Sequence, residues 1–511
     1  MTSSSRGHHP PPRCPAEREV ALPVATRRVR ATLSALGLRA RLVDAGPGYD
    51  PCAWWCDLLG EADALSVACG MGKGSREEAR TGALFEAVEH YLTGPAGFDP
   101  GTVALAVPAE LAAGPLCEDV CAALLTRMSG RGMACARYRA IGGGKHPRDG
   151  LSGRPLAEGR LSGDGLSGGG FGGDGLGGDG LNSDGVGGNG LNRDGLNWDG
   201  FSGGDLADDS LGGDVLDAES GADGEGGVLV PLFLSAPWYL EAGSAPLREL
   251  LDDRCDYADL MRYSCNSGSA VGVTVAEALL HALNEAIERD ALSLLLVRAF
   301  LGGPGFRPRL IDPGTLPDGP ARAYAVAGKL TGSPVHLLDI TSDLGVPTML
   351  AYTLPTSRHP HRRGTGTSLS PSHAAWRALT ELVQTTLGER LPAGAHRGPV
   401  APAAHPGLRA CSRFDLGRAL REAHLVSLSS DAPAGTPGDQ VRTVVAALAA
   451  RGFTAYGRTV HTLPSGVAAV HVFVPGLERF MLVTDGNLVI PGRRGRAAAL
   501  SASENVSLPR L

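Results

Sequence analysis

Residues 272–297 read GVTVAEALLHALNEAIERDALSLLLV, and their period is helical. At 100° per residue, Glu277, Glu285 and Glu288 fall at about 0°, 80° and 20°, on one face of the helix. Leu279, Leu283, Ile287, Leu294 and Val297 form much of the rest. Three carboxylates on one stripe of an apolar helix repel one another and lose hydration if buried. A bound cation, or a bound anion with its cation, is the usual compensation. The simpler reading makes Thr274-x-x-Glu277 a capping box and leaves the other two glutamates in solvent.

The pattern recurs. Residues 70–92, GMGKGSREEARTGALFEAVEHYL, hold a second capping box, Ser75-x-x-Glu78, with Glu86 and Glu89 three apart. Residues 366–388, GTSLSPSHAAWRALTELVQTTLG, start at an N-cap serine, Ser370, with Pro371 at the first helical position. Arg377, Glu381 and Gln384 share one face of that helix. Three hydroxyl-capped helices, each with charge beside apolar residues, predict one polar site shared between them.

At 511 residues the chain can bury a large core, and its 43% hydrophobic and 20% charged content is globular. No apolar run reaches the roughly 18 residues of a spanning helix. The first twenty residues are polar and proline-rich, without the apolar core of a signal peptide, and predict a disordered lead-in to a cytoplasmic protein. Ten cysteines lack CxxC spacing, so reduced, mostly buried thiols fit best. Cys52/Cys56 and Cys117/Cys121 are each four apart, which leaves a four-cysteine zinc site conceivable without the short knuckle spacing.

From Leu161 to Leu211 an apolar residue recurs every fifth position among Gly, Asp, Asn and Ser, and 25 of the 73 glycines lie in 161–227. Pentapeptide solenoids need a small apolar residue two before the leucine, where Asp usually stands here. Calcium-binding β-rolls repeat every nine residues. Glycine at this density predicts disorder over 155–227, inserted like an expanded hairpin loop before VLVPLFL (228–234). Residues 161–227 carry 12 Asp, 2 Glu and 1 Arg, net −13, against −7 for the whole chain. The remainder, at +6, is compatible with an anionic ligand. Nothing in it calls for nucleic acid or a membrane as partner.

Residues 321–355 and 439–475 each run from a helix into a two-stranded hairpin. Residues 115–141, read as a helix ending in GRG and then a strand, form with 228–234 a third, interrupted copy. Repeated α-β-β units predict an α/β architecture with antiparallel strand pairs packed on helices.

GMGKGSREEARTGALFEAVEHY, NSGSAVGVTVAEALLHALNEAIERDA, VHLLDITSDLGVPTMLA and RALTELVQ together resemble the YcaO family. The resemblance spans about residues 22–496 apart from the Gly/Asp tract. It implies an N-terminal part of the domain over 21–154, the remainder over 228–496, and a tail over 497–511, built around a central nucleotide site. It also implies ATP and Mg²⁺ as cofactors and a precursor peptide as substrate, whose backbone amide is activated to an azoline, a thioamide or an amidine. Residue by residue, Glu86, Glu89, Glu285 and Glu288 match the metal-binding glutamates; Glu277, Arg289, Arg377 and Glu381 match further nucleotide positions. Lys73 and Ser75 open the first helix, where N-terminal amides can receive phosphate. They are not a Walker A loop, since Gly74 follows the lysine. No residue is singled out as catalytic. The chain departs from the pattern at His90, Val273 and Ser267, and it ends in SLPRL rather than a PxPxP tail. A separate leader-peptide-binding partner is expected, and a homodimer is a further expectation. A catalytically silent peptide-binding scaffold is the alternative of another class.

Overall fold

Three times the chain runs from a glycine-bearing strand into a helix capped by a hydroxyl. In the computed structural model, β3 (Ser66–Gly74) leads to α2 (Arg76–Thr93), β7 (Ser269–Gly272) to α6 (Val275–Leu296), and β11 (Arg362–Thr367) to α8 (Pro371–Gly388). Ser75, Thr274 and Ser370 each accept from the amide three residues on, which satisfies an otherwise orphaned helix donor. Glycine lets each strand press against its own helix: a Cβ on Gly72, Gly272 or Gly366 would run into the backbone of Ala79, Ala278 or Ala374.

The structure describes residues 17–60, 66–114, 116–128, 130, 132–142, 227–302, 305–356, 361–389, 406–432 and 435–504. These all belong to one compact unit. The tract expected to be disordered, 155–227, lies outside the described residues except for Gly227, as do residues 1–16 of the expected lead-in.

The remaining strands are β1 (Arg39–Asp44), β2 (Cys52–Leu59), β4 (Val103–Ala106), β5 (Met133–Ala140), β6 (Val228–Pro231), β8 (Arg309–Ile311), β9 (His336–Asp339), β10 (Thr348–Thr353), β12 (His424–Val426), β13 (Tyr456–Thr462) and β14 (Ala468–Phe473). They form three sheets, ordered β1-β2-β3, β11-β10-β9-β8-β12 and β4-β5-β13-β14-β7, with β6 beside β5. Pairing is antiparallel except between β8 and β12. The other helices are α1 (Leu22–Ala35), α3 (Pro108–Ala113), α4 (Ala122–Leu125), α5 (Ala245–Leu250), α7 (Asp318–Thr331), α9 (Pro406–Arg413), α10 (Gly417–Leu420), α11 (Pro437–Ala449) and α12 (Arg493–Glu504).

The two expected helix-plus-hairpin units are present as α7-β9-β10 and α11-β13-β14. The interrupted third copy is present as a strand pair, with Cys135 opposite Pro231 and Tyr138 opposite Val228 across the tract. Its helix is not. The described residues between 116 and 132 yield only the four-residue α4 among turns, where the Asp119 carboxylate accepts from the Cys121 amide at 2.9 Å, a local turn that competes with a longer helix. Two further boundaries shift. Residues 17–20, expected in the lead-in, are placed against α6, and the boundary expected at 496 falls inside α12.

Helix α6 lies at the centre. Leu279, Leu283, Ile287 and Leu294 are almost inaccessible to water, and α6 packs on β7, β14 and α11. Among the described residues no helix is long and apolar enough to cross a membrane.

Candidate functional site

Helices α2, α6 and α8 turn their polar stripes toward a cavity of about 450 Å³. It is lined by Glu86 and Glu89 from α2, by Glu277, Glu285, Glu288 and Arg289 from α6, by Arg377 and Glu381 from α8, and by Lys73 from β3. Nine of the ten residues singled out from the sequence therefore meet in one place. The simpler reading of α6, with Glu285 and Glu288 in open solvent, fails: Glu288 is 6% exposed and the Glu285 side chain 22%.

Ser75 is the tenth, and it does not line the cavity. Its hydroxyl accepts from the Glu78 amide while its own amide donates to Glu78 Oε2 at 2.8 Å. The reciprocal capping box engages the Ser75 hydroxyl and amide together with the Glu78 amide, so Ser75 itself is taken up by the cap.

The carboxylates are held apart and steered individually. Arg289 Nη2 donates to Glu285 Oε1 at 3.2 Å, and the Gly268 amide to Glu285 Oε2 at 3.3 Å. Lys73 is ion-paired with Glu381 Oε2. Thr365 of β11 ties α6 to α8: its hydroxyl lies 2.5 Å from Glu288 Oε1, and its amide donates to Glu381 Oε1 at 3.2 Å. Gln384 donates to the Met71 carbonyl, joining α8 to β3.

Charge is unevenly compensated. Burial, then the neighbouring Glu285 and Glu86, push the Glu89 carboxyl well above its ordinary value. Burial also raises Glu86, against the pull of His90 and Lys73. Glu288 is raised by burial and by Glu381, against Arg289, Arg377 and Lys73. Burial works the same way on Glu381, yet Lys73 and Arg289 outweigh it and hold that carboxyl below its ordinary value. His281 is driven well down by burial and by Arg377, Arg18 and Lys73, which keeps it neutral.

Sequence reasoning missed Thr365, Glu17, Arg18, His281 and His373, all of which border this site. One signal for Thr365 was available. Gly364-Thr365-Gly366 repeats the order of Gly72-Lys73-Gly74, and Val271 lies between Ala270 and Gly272. Strand alternation turns the flanking glycines to the helix and the middle residue away from it. Lys73 and Val271 both line the cavity, and Thr365 reaches two of its carboxylates.

A family model described as the YcaO cyclodehydratase, binding ATP and Mg²⁺, matches residues 224–478. The chain belongs to the YcaO family. The match begins after the first motif, so the fold rather than the family match brings Glu86 and Glu89 to the site. Among solved structures, a heterocyclase in complex with substrate and cofactor superposes with a TM-score of 0.53 at 17% identity, covering 91% of this chain and 54% of that one. YcaO from Methanopyrus kandleri, bound with AMPPCP and Mg²⁺, gives 0.52 at 16% identity over 91% of this chain and 93% of that one. At these identities the likeness carries the fold. An uncharacterised protein in the tfuA 3′ region of Rhizobium leguminosarum bv. trifolii is 33% identical over 130 residues, 24% of this chain and 30% of its own length. This YcaO chain thus spans about a third of the length of the curated relatives it matches.

The cofactors of the family are ATP and Mg²⁺, and the residues present fit both. Among the described residues no three carboxylate, histidine or cysteine side chains already form a metal cage. That suits Mg²⁺, which takes one or two carboxylates and fills its octahedron with phosphate oxygens and water. The Nε atoms of Arg289 and Arg377 are buried without a hydrogen-bond partner, and a buried guanidinium donor without one is costly. Phosphate oxygens would supply acceptors.

Proposed function

We propose that this YcaO protein uses ATP and Mg²⁺ to activate a backbone amide of a ribosomally synthesised precursor peptide, closing Cys, Ser or Thr side chains into azolines. The observation that carries the reading is the convergence of Glu86, Glu89, Glu285 and Glu288 on Arg289, Arg377 and Lys73 within one cavity. Bound ATP would supply the phosphoryl group that makes the amide oxygen a leaving group, and Mg²⁺ would shield the charge that develops on it.

The chain's own residues then divide the work. Glu86 and Glu89 on α2, with Glu285 and Glu288 on α6, would hold divalent cations. Arg289 and Arg377, whose Nε atoms are unpartnered, would bind phosphate oxygens. Lys73, restrained by Glu381, adds a point charge beside them. Thr365 fixes the spacing of Glu288 and Glu381. The neutral His281 next to Arg377 adds no competing charge. Capture of the leader falls to a separate partner protein.

The test is phosphate release from Mg²⁺ and ATP with and without the cognate peptide, followed by the peptide's mass. Peptide-stimulated release with loss of one water per ring is expected. Exchange of oxygen for sulfur would make the product a thioamide. Peptide binding without phosphate release would make the protein a scaffold.

A further inference from the structure

The sequence presents residues 17–19 as the end of a polar lead-in, yet they enter the cavity. Glu17 is 8% exposed on its side chain, in a site already crowded with carboxylates. It is held by what surrounds it: Asn284 Nδ2 donates to Oε1 at 3.3 Å, and His373 Nε2 and Arg377 Nη1 stand 3.6 and 3.8 Å from Oε2. Next to it, Arg18 Nη1 lies 2.5 Å from Glu277 Oε1, and the Glu19 amide donates to Glu277 Oε2 at 3.1 Å.

We propose that residues 17–19 are a strap that closes the nucleotide cavity of the free protein, with the Glu17 carboxylate standing in for a phosphate at Arg377. The proposal rests on the nucleotide reading and adds a regulator to that same site. Three features make the strap releasable. Glu17 neutralises Arg377 from beyond hydrogen-bond distance, and Arg377 Nε keeps no partner; a phosphate oxygen can supply both charge and acceptor. Glu17 also has a left-handed φ of 63°, which a non-glycine residue adopts only against steric resistance. Finally, Glu17 adds negative charge to a cavity whose other carboxylates already repel one another. Nucleotide binding with its cation replaces that arrangement, so strap and nucleotide exclude each other.

The test uses the full chain and a non-hydrolysable ATP analogue with Mg²⁺, titrated calorimetrically. Removing the internal competitor in Glu17→Ala should tighten binding about tenfold, as for a strap closed in about nine molecules of ten. Glu17→Gln, which keeps the shape without the charge, should fall between. Glu19→Ala should bind like the wild type, since that side chain is exposed and only its amide is used. Trypsin cutting after Arg18 reads the strap directly. The analogue should speed that cut in the wild type and leave it unchanged in Glu17→Ala, where the strap is already open. Unchanged or weaker affinity in both Glu17 variants overturns the proposal, and so does protection of Arg18 by the analogue. If the analogue binds wild type and variants alike with the cut unaffected, the strap falls and the nucleotide reading stands. If it binds none of them, both fall together.

Discussion

Glu288 and Asp290 stand two residues apart on α6, each nearly inaccessible to water and each with its carboxyl pKa raised by burial, yet their carboxylates are partnered differently. Asp290 is answered on every side. Arg494 of α12 donates to both of its oxygens at 2.7 and 3.0 Å, and the Glu478 amide adds a third bond at 2.9 Å. The same arginine reaches Asp343, while Glu478 accepts from the Gly495 amide at 2.8 Å. Glu288 has Thr365 and a share of Arg289 and Arg377, but it faces a cavity lined by further glutamates. One face of the helix closes its charge with the protein's own groups. The other leaves carboxylates and arginine donors together without completing them, which is what a site for a cation and its anion requires.

If that contrast is right, the two faces should fail differently. Arg494→Ala leaves Asp290 buried without its counter-charge, and breaking such a pair costs about 3–5 kcal/mol. Denaturant unfolding should show that loss at neutral pH. A loss below about 1 kcal/mol, the level of an exposed pair, would erase the distinction. Glu288→Gln should do the reverse. It removes a negative charge from the proposed cation site, so turnover should drop by roughly 10²–10³, about 3–4 kcal/mol by analogy with other catalytic electrostatic groups. Stability should hold or rise as repulsion is relieved. Wild-type phosphate release from the Gln variant would remove Glu288 from the chemistry.

The halves of this comparison differ in how far the sequence announces them. The cavity face is legible because its carboxylates repeat at helical spacing beside leucines, after a capping hydroxyl, on three separate helices. Convergence of Glu86, Glu285, Glu288, Arg377 and Glu381 follows from that repetition, and all five line the cavity. The Asp290 hub is not legible, since its partner lies 204 positions away in PGRRG, where nothing periodic marks Arg494. Ser75 misled for a physical reason: one hydroxyl and one amide cannot both cap a helix and bind phosphate, and the Ser75-x-x-Glu78 spacing already favoured the cap. Glu17 escaped because a glutamate in a polar, proline-rich terminus without helical period has no face to belong to.

Thr365 sharpens the contrast on the cavity side with a smaller effect. It supplies a hydroxyl to Glu288 and an amide to Glu381, and only the hydroxyl is removable. Thr365→Val keeps the shape and β-branching, so the strand should fold as before. Loss of one hydrogen bond to a charged group is worth about 1.5–3 kcal/mol. Turnover should fall by roughly tenfold or more on that scale, with half-saturation moved to higher Mg²⁺, and Thr365→Ser should restore both. Equal melting temperatures with an unchanged Mg²⁺ titration would reduce Thr365 to a core residue.

Glu89 gives the smallest effect and tests the contrast without turnover. Burial, with Glu285 and Glu86 beside it, raises its carboxyl well above the ordinary 4.5. In the free protein the folded state therefore keeps a proton that the unfolded state has released. The stability this lends is complete below pH 4.5 and is lost as pH rises through the raised value. Glu89→Gln cannot ionise, so it should match the wild type in acid and become progressively the more stable of the two toward neutral pH. Mg²⁺ with nucleotide should narrow that gap, because the cation favours the ionised wild-type carboxylate and has no such hold on the amide. Thermal melts of both proteins across pH, with and without Mg²⁺ and nucleotide, measure each part. Parallel profiles at every pH would mean that the protein's own groups already offset the charge on Glu89, and the two faces of the fold would no longer differ in kind.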